Sequence, residues 1–220
     1  MSSPRLASGI YMSIEPVFVH RYIPPADPGV RDTLLLLHGT GGDENSLVPV
    51  AEKLLPGAGI LSPRGKVLEN GMPRFFRRLS EGVFDLEDLR LRTAELAGFV
   101  IEASEIYSLD RGKLTAVGYS NGANIAASIL LTYAGVIPNA VLFHPMVPFV
   151  PESLPDLSDT HVLITAGTND PVVSRDGTED LAVLLKEAGA RVEVFWQENG
   201  HNLTRVEINA AKSFLSESRI

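Results

Sequence analysis

The chain has 220 residues, of which 45% are apolar and 21% charged, a composition typical of a globular protein with one sizeable core. A formal net charge of −8 argues against nucleic acid or an anionic membrane as the main partner, and the lack of cysteine excludes disulfides, thiolate metal sites and a cysteine nucleophile. No apolar run is long enough to span a membrane and residues 1–13 lack a signal-peptide core, so we expect a cytoplasmic, single-domain protein over residues 1–220 with a loose arm at 1–13.

The first half of the chain alternates short apolar segments with longer segments of helical periodicity. A continuous apolar run at 33–37 is typical of a strand that is buried on both faces. Apolar residues recur along 86–107 at the spacing of one helix face. The predicted elements are strands at 17–22, 33–37 and 59–62, and helices at 47–55 and 86–107.

The second half continues the same alternation. Its predicted elements are strands at 114–117, 140–143, 161–166 and 192–196, and helices at 121–133, 176–188 and 203–215. Strands that alternate with helices form a mostly parallel sheet with helices on both faces, so the sequence predicts a doubly wound α/β fold without a large lid. In such sheets ligands bind beyond the carboxyl ends of the strands, which is where functional residues are expected.

A glycine-rich loop at 38–42 follows the second predicted strand. Its glycines let the backbone approach a reacting carbonyl, and the N–H of Thr40 is the best candidate to donate to an oxyanion. A phosphate-binding loop would end in Gly-Lys-Ser/Thr, whereas Asp43 and Glu44 follow here, which disfavours nucleotide binding. We expect His38 to hold this loop rather than to act as a base.

The segment 71–78, after the third predicted strand, combines arginines with aromatic residues. One interpretation is a pocket wall in which Phe75 and Phe76 contact the substrate, while Arg77 pairs with an anionic group. The other interpretation is a packed loop with solvated arginines. The sequence leaves both open.

Ser120 lies between a predicted strand and a predicted helix, with Gly118 and Gly122 two residues away on either side. Strand, sharp turn and helix are the context of a nucleophile elbow, in which a strained turn lifts a serine hydroxyl out of the sheet. The N–H of the next residue, Asn121, is then the second oxyanion donor. Dienelactone-hydrolase-like chemistry needs a cysteine at this turn, so the lack of cysteine excludes it.

A serine nucleophile needs a general base and an acid that orients the base. Asp170 and His201 each follow a predicted strand of the second half, so both are expected at the edge of the sheet where Ser120 lies. The chain order Ser, Asp, His is that of hydrolases built on such a sheet. Asp176 and Asp180 are weaker candidates for the acid because they fall in a predicted helix.

Two further residues, His144 and Met146, follow the strand predicted at 140–143 and are candidates to line the substrate pocket. For Met146 the alternative is that it fills the core. The histidines are scattered along the chain and there is no cysteine. Because this pattern offers no metal-ligand cluster, we expect neither a metal nor an organic cofactor.

The motifs together resemble the serine carboxylesterase/phospholipase-type branch of the α/β-hydrolase superfamily, which includes the acyl-protein thioesterases. The resemblance covers essentially the whole chain. It depends on Leu-Leu-His-Gly-Thr-Gly-Gly-Asp-Glu at 36–44, Leu-Ser-Pro-Arg-Gly at 61–65, Gly-Tyr-Ser-Asn-Gly-Ala-Asn at 118–124, Asn-Asp-Pro-Val at 169–172 and Gly-His-Asn-Leu at 200–203.

The resemblance implies an α/β-hydrolase fold with Ser120, Asp170 and His201 as the triad. It also implies an oxyanion hole made by the backbones of Thr40 and Asn121. Acyl-protein thioesterases usually carry Gln-Gly-Gly after the serine, whereas residues 121–123 here are Asn-Gly-Ala. The stretch 71–78 resembles instead a bacterial carboxylesterase subgroup.

The expected function is therefore that of a carboxylesterase, which cleaves small soluble carboxylic esters through an acyl-enzyme intermediate. A lysophospholipase and an acyl thioesterase are the alternatives within the same enzyme class, and they differ in the length of the acyl pocket. A catalytically silent hydrolase-fold protein that binds a ligand is the alternative from another class. The expected partner is a small-molecule ester, and a homodimer is an open alternative to a monomer.

Overall fold

The computed structural model describes residues 18–217 of the chain. Its strands are β1 His20–Ile23, β2 Thr33–Leu37, β3 Gly59–Pro63, β4 Val67–Glu69, β5 Met72–Arg74, β6 Arg78–Ser80, β7 Val83–Phe84, β8 Leu114–Tyr119, β9 Asn139–Phe143, β10 His161–Gly167 and β11 Arg191–Gln197. Its helices are α1 Val48–Leu54, α2 Leu86–Ile106, α3 Asn121–Thr132, α4 Arg175–Glu187 and α5 Arg205–Glu217, with a short 3-10 helix at Arg111–Lys113.

Seven strands form the central sheet, in the order β1-β3-β2-β8-β9-β10-β11. β1 is antiparallel to β3, and every other neighbouring pair is parallel. Leu37, the last residue of β2, is opposite Gly118 of β8. The carboxyl ends of these two strands therefore lie side by side, and the mostly parallel sheet predicted from the sequence is confirmed.

Helices cover both faces of this sheet. Side chains that alternate along β2 show the division, since Leu34 and Leu36 pack with residues of α1 and α5, while Leu35 and Leu37 pack with residues of α2, α3 and α4. Each of these four leucines is essentially fully buried, which stabilises the fold by about 1.5–3 kcal/mol per side chain. No helix between residues 18 and 217 combines the length and the apolarity needed to cross a membrane.

Most predicted elements differ from the observed ones by one or two residues at their ends. The first strand is the main exception, because it was expected at 17–22 and lies at His20–Ile23. As the edge strand it pairs on one side only, and that pairing runs from Pro63 to Ile60 of β3. The predicted arm at 1–13 lies outside the described residues.

Two antiparallel hairpins, β4–β5 and β6–β7, were not predicted. Their strands have only two or three residues, too few to show an alternation of apolar and polar positions. The first hairpin nevertheless turns at Asn70 and Gly71, both with positive φ (52° and 80°). Asn-Gly is the typical sequence of such a turn, so this dipeptide was a usable signal. The hairpins lie between β3 and α2 in the chain, and the segment 73–76 runs from β5 of the first hairpin toward the second.

Candidate active site

Ser120 forms a sharp turn between β8 and α3. Its backbone angles are φ 51° and ψ −114°, a region in which a residue with a side chain is strained. Its N–H donates to the carbonyl oxygen of Phe143 in β9 at 2.9 Å, and its carbonyl oxygen accepts from the N–H of Asn124 at 2.9 Å. The strained turn is thus fixed from both sides, and the partly exposed hydroxyl lies beyond the carboxyl end of the sheet.

Gly122 allows the helix to begin directly against β2. A Cβ at this position would lie 1.9 Å from the carbonyl oxygen of Leu37, which no side chain can do. The first turn of α3 therefore packs closely on the end of β2, where the loop 38–42 begins. This contact brings the two parts of the predicted oxyanion hole together.

The three predicted triad residues are joined by hydrogen bonds. The Nε2 of His201 lies 2.9 Å from the Ser120 hydroxyl oxygen, and its Nδ1 lies 2.8 Å from Oδ2 of Asp170. Because an ionised carboxylate only accepts hydrogen bonds, Nδ1 carries the proton and Nε2 is left to accept from the serine. This is the arrangement in which an imidazole can act as a general base toward a serine.

Asp170 is held in its ionised form. Its side chain is 1% exposed, and Oδ1 accepts from the N–H groups of Val172 at 2.8 Å and Val173 at 3.0 Å. Burial alone would raise the pKa of this carboxyl, but the hydrogen bonds from His201 and from these two backbone groups lower it below its ordinary value. The group is therefore an anion at neutral pH and can orient the imidazole of His201.

The loop 38–42 is held by His38, as expected from the sequence. The Nδ1 of His38 lies 2.7 Å from the carbonyl oxygen of Gly39, and its Nε2 accepts from the N–H of Gly65 at 2.9 Å. Burial lowers the pKa of His38, so the ring is neutral and each nitrogen has the role that its partner requires. His38 thus connects the loop to the segment after β3.

The two predicted oxyanion donors lie at either side of this contact. The N–H of Asn121 belongs to the first turn of α3, where helix geometry leaves it without an acceptor inside the helix. In the loop, the N–H groups of Gly41 and Gly42 donate to Pro73 and Gly39, whereas that of Thr40 has no acceptor among residues 18–217. Both N–H groups are therefore available to a ligand, and the positive end of the helix dipole favours an anion there.

The segment 73–76 contacts both donors. Nη1 of Arg74 donates to the hydroxyl oxygen of Thr40 at 2.8 Å, and the N–H of Phe75 donates to Oδ1 of Asn121 at 2.7 Å. The carbonyl oxygen of Pro73 accepts from the loop as well. One short segment of chain therefore fixes the side chains of both residues whose N–H groups were predicted to bind an oxyanion.

The predicted pocket wall in this segment needs correction. Phe75 is 2% exposed and Phe76 0%, and their rings pack on His38 and Phe84 at centroid distances of 4.7 Å and 5.0 Å. Both rings belong to the core cluster that Leu35 and Leu37 form with residues of α2 and α3, so neither presents a surface to a substrate. Arg77 is exposed and pairs with Asp85 at 2.7 Å, as the packed-loop interpretation expected.

His144 also differs from its expected role. Its side chain is 0% exposed, so it does not line a pocket. Its Nδ1 lies 2.9 Å from Oδ2 of Asp170, the same oxygen that contacts His201, and its Nε2 lies 2.8 Å from Oε1 of Glu207. Met146 remains half-buried beside the β6–β7 turn, with its Cε close to Gly82, and its contact with a substrate stays a prediction.

Sequence reasoning missed Glu207 and Arg74, both buried charged residues. Glu207 had a signal, because it lies on the same helical stripe as Ala211 and Phe214, and a carboxylate on a core-facing stripe is rarely buried without a partner. Arg74 had no signal beyond its place in an aromatic segment, since Arg77 and Arg78 lie within four residues of it and neither is buried.

One group of described residues has the composition of a metal site. Its members, His144, Asp170 and His201, offer ligand atoms within 4.8 Å of one another. The Nδ1 atoms of both histidines lie at hydrogen-bond distance from Oδ2 of Asp170, so two N–H···O hydrogen bonds account for the short distances between the three side chains. Nitrogen atoms that carry protons have no lone pair left for a cation, which makes this a hydrogen-bonded cluster rather than a preformed metal cage.

Comparison with known proteins adds a family and several relatives. The sequence model of a family described as "Dienelactone hydrolase family" matches residues 87–212. The protein "Putative hydrolase MhqD" of Bacillus subtilis (strain 168) is 50% identical over 193 residues, which are 87% of this chain and 96% of that protein.

Solved structures show the same likeness. A carboxylesterase from Bacillus cereus superposes with a TM-score of 0.87 at 50% identity, covering 90% of this chain and 93% of the other. The protein YahD, solved with malic acid, gives a TM-score of 0.84 at 35% identity over 90% and 98% of the two chains. Arabidopsis thaliana SOBER1, with a TM-score of 0.73 at 20% identity over 87% of this chain and all of that one, shares the fold alone.

Proposed function

Because the chain belongs to the dienelactone hydrolase family, we propose that it is a serine carboxylesterase that cleaves small soluble carboxylic esters. Its α/β-hydrolase fold and its class, an ester hydrolase, follow from the family and from its similarity to solved carboxylesterases. The finer assignment is supported by the row of hydrogen bonds from Ser120 through His201 to Asp170, which is the observation that carries the proposal.

The family membership limits one conclusion that was drawn from the sequence. The lack of cysteine excluded the cysteine-dependent chemistry of dienelactone hydrolases, but it does not exclude the chain from the family that bears their name. In this chain the turn between β8 and α3 carries Ser120. The nucleophile that we propose is accordingly a hydroxyl, and it needs the base that a thiolate can do without.

In the proposed reaction, His201 Nε2 takes the proton of the Ser120 hydroxyl as the serine oxygen bonds to the ester carbonyl carbon. The carbonyl oxygen becomes an oxyanion, to which the N–H groups of Thr40 and Asn121 donate. Asp170 stabilises the imidazolium that His201 has become. When the tetrahedral intermediate collapses, the bond to the alcohol oxygen breaks and Nε2 gives its proton to that oxygen.

The second half of the reaction releases the acid. Water enters after the alcohol leaves, and His201 takes one of its protons while the oxygen attacks the acyl-enzyme carbonyl. Collapse of the second tetrahedral intermediate breaks the bond to the serine oxygen, which recovers its proton from Nε2. Each step uses groups of this chain and water, so the proposed mechanism includes no metal and no organic cofactor.

We propose a preference for short acyl chains because the segments that connect the strands and helices near the site are small. They are the two hairpins between β3 and α2 and the loop between β9 and β10. The test is a series of nitrophenyl esters from acetate to palmitate, run beside Ser120→Ala as the control. Rates that fall beyond short chains support the proposal. Rates that rise steadily to palmitate favour the lysophospholipase or thioesterase alternative.

A fluorophosphonate probe separates the enzyme from a silent binding protein. It should label Ser120 in the wild type and leave Ser120→Ala unlabelled, because only an activated serine reacts with it. A wild type that stays unlabelled would favour the ligand-binding alternative. The cytoplasmic location and the homodimer stay predictions from the sequence.

A further inference from the structure

A second acid–histidine pair, Glu207 and His144, contacts Asp170. His144 is the residue directly after β9, and its ring lies between Asp170 and Glu207 of α5. The side chains of all three are at most 1% exposed. Together with His201 and Ser120 they form a continuous row from the helix α5 to the proposed nucleophile.

We propose that His144 and Glu207 are positioning residues for the proposed triad, with His144 present as an imidazolium that holds the Asp170 carboxylate in place and offsets its negative charge. The inference rests on the function proposed above, since it assigns a role to residues that act through Asp170 and His201. Neither residue touches the serine or the substrate, so their effect on the reaction is indirect.

The hydrogen bonds of Asp170 require a proton on His144 Nδ1. Oδ1 is engaged by two backbone N–H groups, and Oδ2 lies 2.8 Å from Nδ1 of His201 and 2.9 Å from Nδ1 of His144. A carboxylate that accepts four hydrogen bonds from fixed donors cannot rotate away from His201. His144 supplies one of those four and closes the remaining side of the carboxylate.

The surroundings of Glu207 favour its ionised form. Oε2 accepts from the N–H of Thr204 at 2.9 Å and Oε1 accepts from the hydroxyl of Thr165 at 2.9 Å. Burial would raise the pKa of this carboxyl, but the contact with His144 and the threonine hydrogen bonds lower it. Glu207 is thus an anion whose short contact with His144 Nε2 is an ion pair, although the ring N–H does not point straight at the oxygen.

Two buried carboxylates on either side of one imidazole favour its charged state. Burial opposes a charge on His144, but the contacts with Glu207 and then with Asp170 outweigh burial and raise the pKa of this histidine. With His144 protonated, three buried charges sum to a single negative charge rather than two. An unpaired buried carboxylate is strongly unfavourable, so the pairing explains how both acids are tolerated in the core.

The backbone of His144 indicates that the ring position matters. Its φ is +53°, a left-handed conformation that is strained for a non-glycine residue. Its N–H donates to the carbonyl oxygen of Thr165 at 2.9 Å, which fixes the strained residue against β10. The fold therefore maintains a strained turn at the residue whose side chain reaches Asp170.

The charge on His144 also bears on the protonation of His201. The two rings lie 5.2 Å apart between centroids, close enough for a positive charge on one to disfavour a positive charge on the other. The other titratable groups that face His144 are Asp170, Glu207 and the phenol of Tyr119 at 6.1 Å. A positive charge on His144 and a positive charge on His201 therefore disfavour each other.

Glu207→Gln tests this role with little change of shape. Without the Glu207 charge, His144 can lose its proton while still donating from Nδ1 to Asp170. We expect kcat for nitrophenyl acetate to fall by about tenfold with KM little changed, because the residue acts through the triad and not on the substrate. The pH of half-maximal kcat/KM on the acid side should rise by about half to one unit.

The matched control is His20→Gln. His20 is a half-buried histidine on β1, the edge strand separated from β8 by β3 and β2, and it contacts Phe18 and Tyr107, so its replacement should leave kcat and the pH profile unchanged. Nitrogen-15 NMR of the wild-type histidines adds a test that needs no variant. The ring assigned to His144 should carry protons on both nitrogens at neutral pH. A neutral His144 ring would overturn the inference even if Glu207→Gln failed to fold.

Failure of this inference is distinguishable from failure of the proposed function. A wild type that does not hydrolyse nitrophenyl esters, or that keeps its activity in Ser120→Ala, contradicts the proposed function itself. If the wild type is active and Ser120→Ala is not, a Glu207→Gln protein with unchanged kcat and pH profile overturns only the inference. A lower thermal midpoint alone would mean that Glu207 is merely structural.

Discussion

The two sides of Ser120 are held in place by different kinds of interaction. The acid–base side consists of His201, Asp170, His144 and Glu207, whose contacts are between charged or titratable side chains. These residues come from three separate parts of the chain, at 144, 170 and 201–207, and three of them are at most 1% exposed. What holds this side together is the mutual compensation of buried charges.

The oxyanion side consists of Thr40, Asn121 and the segment 73–76. The proposed donors there are backbone N–H groups, and their positions depend on the close contact of Gly122 with β2 and on hydrogen bonds to Thr40 and Asn121 side chains. Charge enters through Arg74 alone in this group. The comparison teaches that a substitution that changes charge without shape should disturb the acid–base side, and that one that changes shape or anchoring should disturb the oxyanion side.

Ser120 belongs to both sides, so Ser120→Ala should have the largest effect. Loss of the hydroxyl removes the nucleophile, and we expect kcat to fall by about 10⁶-fold with the fold unchanged. Steady-state hydrolysis of nitrophenyl acetate and a thermal melt measure the two quantities. Activity near that of the wild type would show that the serine assignment is wrong.

Asp170→Asn should follow, as a nearly isosteric change on the acid–base side. The amide can hold His201 in the wrong tautomer, so kcat should fall by about 10⁴-fold. Asp176→Asn is the matched control because it lies six residues away, on the first turn of α4. An equal loss in the control, or a larger one, would mean that Asp176 is the acid.

The same comparison explains what could be predicted from the sequence. The strand at 33–37 and the loop after it, the turn at Ser120 and the loops bearing Asp170 and His201 follow from local patterns, because apolar runs and glycines mark each one. Their meeting at one edge follows from the rule for parallel sheets, and the structure places Ser120, His201 and Asp170 within hydrogen-bond distance.

What could not be predicted depends on long-range packing. For Phe75 and Phe76 the sequence left a pocket wall and a packed loop open, because the short hairpin strands around them show no alternation that would reveal their burial. The partner of His144 lies 63 positions further on in a helix, and no local pattern specifies that such a pair will meet. A charged side chain is buried where the folded structure supplies a partner for it, and the sequence alone does not identify that partner.

Arg74→Gln tests the oxyanion side, with a smaller expected effect. The variant loses the hydrogen bond to Thr40 and the ion pair with Glu69, so the loop should be less well positioned. Removing an oxyanion donor outright costs about 10²–10³-fold in kcat, and a residue that only positions one should cost about tenfold. The pH profile should stay that of the wild type, unlike the profile of Glu207→Gln.

Arg77→Gln is the control for Arg74→Gln. Arg77 lies three residues later, is 61% exposed and pairs with Asp85 at the surface, so we expect a change in kcat of less than about twofold. Partial recovery in Arg74→Lys would support a hydrogen-bonding role. Equal losses in Arg74→Gln and Arg77→Gln would contradict the distinction between a buried anchor and a solvated arginine.

The smallest expected effect is on stability, and it depends on pH. Asp170 and Glu207 have lowered pKa values, so they contribute stability above their ordinary values of 3.8 and 4.5, and lose it as the pH falls through the lowered ones. His144 has a raised pKa, so its contribution is full below its ordinary value of 6.5 and is lost as the pH rises through the raised one. All three contributions are present together only between about pH 4.5 and about pH 6.5.

Thermal melts of the wild type and Glu207→Gln, from below this pH range to above it, test the sign. The wild type should melt a few degrees higher between about pH 5 and about pH 6.5, a difference of about 1–2 kcal/mol for a chain of this size. The difference in melting temperature between the two proteins should narrow at lower pH, because Glu207 takes up a proton in the wild type. It should also narrow at higher pH, because His144 loses a proton. A gap that is constant with pH would mean that Glu207 contributes through packing and not through its charge, and the acid–base side would then owe its order to shape, as the oxyanion side does.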